Sequence, residues 1–240
     1  MDNRPIGIFD SGIGGLTVFK AIKKLLPNET LIYIGDTKRA PYGTKSPKQI
    51  KKFALQITRI LLSKNVKVIV VACNTISAVA LNEIKKNSPI PVVDVILPTL
   101  QSIREKNIAL LATRATVKSK AYGNIKSEAA SDLVPLIENG NWKEIPEILN
   151  KHLEKIGKVD LLILGCTHFP IIKSFFPKNQ KMLDSAVPTA KALKKLLEKN
   201  NLLSQKNLGD SIIFTSKTAL PIFPTGFCEL SEPDRHLLFL

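Results

Sequence analysis

Short apolar runs alternate along the chain with longer stretches of helical spacing, and this alternation leaves few folds open. The runs are RPIGIFD (4–10), TLIYIG (30–35), VKVIVVA (66–72) and PVVDVI (91–96); the pattern restarts near Pro98 with NIALLAT (107–113), VDLLILG (159–165) and SIIFTS (211–216). They are continuously apolar rather than alternating, as strands buried on both faces are, and the intervening segments are long enough to be crossover helices. Helices are expected from about Leu16 to Leu26, over 48–65, near Ile76–Lys86, from Arg114, around Trp142–Ile156 and near Ala186–Lys199. The fold class is therefore α/β with mainly parallel sheets, arranged as two halves that share a cleft.

In such sheets ligands bind beyond the carboxyl ends of the strands, and polar residues gather there. Asp10 and Ser11 follow the first run; Asp36 and then Tyr42–Gly43 follow the second; Cys73, Asn74 and Thr75 follow the third. In the second half the corresponding residues are Thr113 and Thr116, then Cys166, Thr167 and His168. Helix N-termini at these points favour anions, so the expected ligand carries carboxylates. The two thiols stand out because VKVIVVAC and VDLLILGC share a design: a valine leads and the cysteine follows seven positions later. Taken singly, each is a candidate buried small hydrophobe. Taken together in matching units, they would face each other across the cleft.

Competing chemistries have less support. Zinc sites use close spacings such as C-x₂-C, which are absent, although two distant cysteines beside His168 could still assemble one. The GIGG of Gly12–Gly15 lacks dinucleotide spacing, and no P-loop is present. Asp10 is a candidate proton acceptor for Cys73, with helix capping as the alternative, a task Ser11 could also perform. His168 beside Cys166 can tune a thiol–thiolate balance. The formal charge of +15 raises a nucleic-acid role, but only six of the 35 basic residues are arginine and aromatics make up 6%. Base readout and stacking want both, so the charge reads as a lysine-rich solvated surface and nucleic acid is not the expected partner. No apolar run approaches the roughly 18 residues needed to cross a bilayer, and MDNRPIGIFD has no signal-peptide core, so a cytoplasmic, non-membrane protein is expected. Cys228, in an irregular tail, reads as structural.

A carboxylated substrate between two thiols suggests inversion at an acidic carbon, one thiolate removing a proton and the other thiol delivering one to the opposite face. The motifs GIFDSGIGGLTV, GDTKRAPYG, VVACNTIS, PVVDVI, LLATRATVKSKAY and LGCTHFP resemble, in order, those of the glutamate racemases within the aspartate/glutamate racemase superfamily. The resemblance covers about Pro5 to Pro170. It implies two pseudo-symmetric, Rossmann-like lobes (1–98, joined by 206–240; and 99–205), a homodimer, no cofactor, and D-glutamate made for peptidoglycan. It also implies that Cys73 acts on D-glutamate and Cys166 on L-glutamate, with Asp10, His168 and Glu138 of LVPLIENG as proton-handling helpers. Ser11, Tyr42, Gly43, Asn74, Thr75, Thr113, Thr116, Thr167, Asp10 and His168 would contact substrate. An aspartate racemase and a non-catalytic binding protein on the same scaffold are the alternatives. The family carries a strand between Tyr122 and Val134, where GNIKSEAASDL shows no apolar run, so the second lobe is expected to be shortened near 123–133. LDSAVPTA lacks the family's glycine.

Overall fold

The computed structural model describes residues 1–216 and the backbone of 236–239. Cys228 lies outside them. The first half runs β1 (Ile6–Asp10), α1 (Leu16–Leu25), β2 (Leu31–Gly35), α2 (Pro47–Ser63), β3 (Val68–Val71), α3 (Asn74–Lys86), β4 (Val92–Asp94) and α4 (Ile96–Gln101). There follow β5 (Ile108–Ala112), α5 (Arg114–Ser119), β6 (Lys126–Ala129), α6 (Leu133–Asn139), α7 (Ile145–Ile156), β7 (Leu161–Gly165), β8 (Met182–Asp184) and α8 (Ala186–Lys199). The chain then enters β9 (Ser211–Thr215), and β10 (His236–Phe239) completes the described elements.

Every strand pair is parallel. One sheet has the order β10-β9-β2-β1-β3-β4 and the other β6-β5-β7-β8. The inner order β2-β1-β3-β4 is thus repeated as β6-β5-β7-β8, which gives the fold its pseudo-symmetry. β3 and β7 occupy equivalent places, and each delivers a cysteine just past its carboxyl end.

Three apolar cores hold the layers. Ile69, Val71, Ile76 and Ile57 pack α2 and α3 on one face of the first sheet. Leu111, Leu164, Ile137 and Leu149 pack α6 and α7 on one face of the second. The third core is common to both sheets, joining Ile8, Val70 and Leu16 to Leu110, Ile163 and Leu193. Lys67 departs from the solvated-lysine pattern. Its side chain is buried, donates to the carbonyls of Asp2 and Leu202, and pairs with Glu29 Oε2 at 2.6 Å. This ties the segment after α8 to the base of the first sheet.

Three expectations are corrected. A strand does exist in the short segment after Tyr122: β6 pairs with β5 alone through backbone hydrogen bonds, and its half-open edge position removes the need for an apolar run. The helix expected from Trp142 begins at Ile145, since Pro146 is tolerated only in a first turn. Cys166 leads into a 3₁₀ segment, Phe169–Phe175, with a kink at Ile172, whereas Cys73 leads into the full helix α3. The two thiol units match at the strand and diverge after it.

Candidate functional site

Cys73 is the N-cap residue of α3, with extended backbone and no side-chain capping bond, so its thiol is free to face the cleft. Ser11, expected as an alternative cap for α1, lies 3.4 Å from Cys73 Sγ through its hydroxyl. The N-cap position of α1 is Gly15, and it has no side-chain cap. Burial pushes the Cys73 thiol up, and the Asp10 charge adds to that; Ser11 and the Ile76 backbone act the other way. Burial also raises Asp10, against the charge of His168 and a hydrogen bond from Gly12 N at 2.9 Å.

Across the cleft, Cys166 Sγ is 3.6 Å from His168 Nδ1, and His168 Nε2 is 2.5 Å from Glu138 Oε1. Burial works against a charged His168, but the hydrogen bonds and charges of Cys166 and Glu138 prevail and raise its pKa well above the usual imidazole value. Glu138 also accepts from Ile13 N at 3.1 Å, so one carboxylate spans both halves of the molecule. Thr167 donates to Asp10 Oδ1 at 3.1 Å and makes a second link. The glycine-rich turn is explained by these approaches. A Cβ at Gly12 would overlap Glu138 Oε1, and one at Gly14 would stand 2.6 Å from Thr167 Oγ1 and 2.7 Å from His168 Nδ1. The turn is flat so that the opposite wall can come close, and no dinucleotide is needed to account for it.

A narrow cleft lies between the thiols. Ser11, Tyr42, Gly43, Cys73, Asn74, Thr75, Thr113, Cys166, Thr167 and His168 line it, together with Pro41 and Val134. Of the expected site residues, Asp10, Thr116 and Glu138 stand behind this wall rather than in it. Asp10 backs Thr167, Glu138 backs His168, and Thr116 holds Thr113 by a 3.0 Å hydroxyl contact while Thr113 reaches Thr75 at 2.8 Å. Asp10 and Thr116 are buried and bonded to neighbouring hydroxyls, and they are not among the residues that line the cleft.

Sequence reasoning missed several supporting groups. Tyr122 donates to Asn74 Oδ1 at 2.5 Å, and Ser185 lies 3.5 Å from the same oxygen. With its oxygen so occupied, Asn74 directs a buried amide nitrogen that has no partner among the described residues. Asp36 accepts from both Tyr42 and Arg39, which fixes the Tyr42 ring in the cleft wall. Burial, reinforced by Asp36, raises Tyr42, so its hydroxyl stays protonated. Pro41 and Val134 carry no chemical signature that sequence alone would flag.

The profile of Asp/Glu/Hydantoin racemases matches residues 6–193. The chain belongs to that family. A glutamate racemase of Streptococcus agalactiae serotype III is 39% identical, over 97% of this chain and 95% of that protein. The crystal structure of glutamate racemase from Francisella tularensis in complex with D-glutamate is 38% identical with a TM-score of 0.86, covering 92% of this chain and 90% of that one. The Thermus thermophilus glutamate racemase in complex with β-chloro-D-alanine gives 38% identity and a TM-score of 0.83, covering 90% of each chain. Among the described residues of this racemase-family chain, no helix is long and apolar enough to cross a membrane, and no three His, Cys, Asp or Glu side chains cluster so that they could hold a metal ion.

Proposed function

We propose that this protein interconverts L- and D-glutamate by two-thiol proton transfer at Cα, without a cofactor, and supplies D-glutamate for peptidoglycan in the cytoplasm. The observation that carries the reading is the placement of Cys73 and Cys166 on one small cleft, beyond equivalent strands of two like-ordered sheets. The glutamate racemases of the comparisons, one of them holding D-glutamate, support the choice of substrate. Sheet membership supports the division into lobes 1–98 with 206–240 and 99–205, because β9 joins the first sheet after the chain leaves α8. A homodimer is part of the same proposal.

When L-glutamate is bound, the Cys166 thiolate takes the Cα proton and becomes a thiol. The electron pair left on Cα spreads into the α-carboxylate, and the Cys73 thiol then gives its proton to the opposite face and becomes a thiolate. D-glutamate runs the same steps in reverse. The protonated state of Cys73, held by burial and by Asp10, is the one the L-direction requires of its donor. The Cα proton is a very weak acid, so the carbanion must be stabilised by donors fixed in advance. The unpartnered Asn74 amide and the hydroxyls of Ser11 and Thr75 supply them. Before the next L-glutamate, Cys166 must give up the proton it gained and Cys73 must regain one; we assign His168, 3.6 Å from Cys166, to the first exchange and Asp10, whose charge acts on Cys73, to the second.

Solvent-deuterium incorporation tests this. Incubated in D₂O without additives, the protein is expected to place deuterium at Cα of L- and D-glutamate while inverting them. Exchange on aspartate with none on glutamate would transfer the assignment to aspartate racemisation; no exchange on either would favour a binding protein.

A further inference from the structure

His152, on α7 and outside the cleft lining, is buried between two carboxylates. Its Nδ1 is 2.7 Å from Glu128 Oε1, and its Nε2 is 2.9 and 3.1 Å from the two oxygens of Asp132. Each ring nitrogen thus faces a carboxylate, and the imidazole bridges Glu128 and Asp132 as a clasp. Lys155, from the same helix, adds a contact to Glu128 at 3.1 Å. Glu128 lies on β6, whose sequence has no apolar face to bury. Asp132 is the N-cap residue of α6 and accepts from Leu133 N at 3.1 Å. The clasp therefore joins β6, the start of α6 and α7 by polar contacts, beside the apolar core in which α6 and α7 pack.

What α6 carries makes this relevant to the reaction. Val134 lies in the cleft wall, and Glu138 holds His168, which in turn meets Cys166. We propose that His152 is a positioning residue for the Cys166 side of the cleft, fixing α6 through Asp132 and β6 through Glu128 so that Glu138 keeps His168 in register with Cys166. The inference rests on the two-thiol reading above. It is also directional: the Cys73 side is built from β1, β3 and α3, and Glu138 reaches that side at the backbone of Ile13, whereas on the other side it holds the residue that meets the Cys166 thiol.

The direction can be read with glutamate analogues bearing a leaving group on Cβ. Loss of the Cα proton to a thiolate then forms a Cα=Cβ bond and expels the leaving group as an anion, so each thiol is assayed alone. His152→Phe keeps an aromatic ring at this position and removes both contacts. It is expected to slow elimination from the L-analogue by about tenfold, the scale of a small misplacement of a catalytic group, and to leave the D-analogue within about twofold of wild type. Asp132→Ser keeps a helix-capping oxygen but is too short to reach His152, and is expected to shift the same ratio in the same sense; it decides the matter if His152→Phe does not fold. Equal loss on both analogues in a folded variant, or no loss on either, overturns the clasp's role. Wild-type protein inactive on both analogues would overturn the two-thiol reaction itself.

Discussion

At the scale of single residues, the cleft is organised by what its polar groups are prevented from doing. Cys73 does not cap its helix, Asn74 does not satisfy its amide nitrogen, and His168 is not left neutral in an apolar pocket. The His168 pairing carries a pH signature whose sign is fixed. Its folded pKa is raised above the ordinary value of 6.5. The stability it contributes is thus complete below that value and is lost as pH rises through the folded one. Denaturant midpoints measured at about pH 6 and about pH 9 should therefore fall further for wild type than for His168→Gln. Equal falls would mean that the Glu138–His168–Cys166 chain contributes nothing to the alkaline limb.

At the scale of elements, local signals and tertiary context divide the credit. α2 is specified locally: Ser46 and Gln49 form a capping box, and Pro47 sits in the first turn. Ser46→Ala should cost about 1 kcal/mol in chemical denaturation while leaving racemisation nearly unchanged; a large loss of activity would show that the start of α2 also shapes the cleft. The long apolar strands and amphipathic helices were legible in the sequence for the same reason, because burial on both faces or on one stripe writes itself into periodicity. β6 and β8 were not, since each is a short edge strand held by backbone pairing to one neighbour. The cysteines and the hydroxyls beside them were legible as strand-end chemistry. Tyr122 and Ser185 were not, because they act on Asn74 across 48 and 111 positions of sequence and only the packed sheets bring them there. The placement of Asp10 and Thr116 behind the wall was hidden likewise, as one-dimensional order does not distinguish a cleft residue from its support.

At the scale of the whole molecule, two like-ordered sheets are joined by a shared core and by a few polar ties. The Lys67–Glu29 pair is the most buried of the side-chain ion pairs among the described residues, with side-chain exposures of 0% and 2%. Lys67→Met would leave Glu29 as an uncompensated buried charge, and should cost about 3–5 kcal/mol by denaturant titration. A loss below about 1 kcal/mol would mean that water reaches this corner and the tie is weak. The cleft depends on such ties because its two thiols come from different sheets. The central claim is that each thiol works on its own enantiomer, and the elimination analogues test it on the Cys73→Ser and Cys166→Ser variants. A serine hydroxyl is too weak an acid to replace a thiolate near neutral pH, so neither variant should racemise glutamate. Cys166→Ser should still eliminate from the D-analogue through Cys73, and Cys73→Ser from the L-analogue through Cys166. Opposite hand preferences in the two variants are the predicted result; racemisation of glutamate at near wild-type rate by either one would contradict the account.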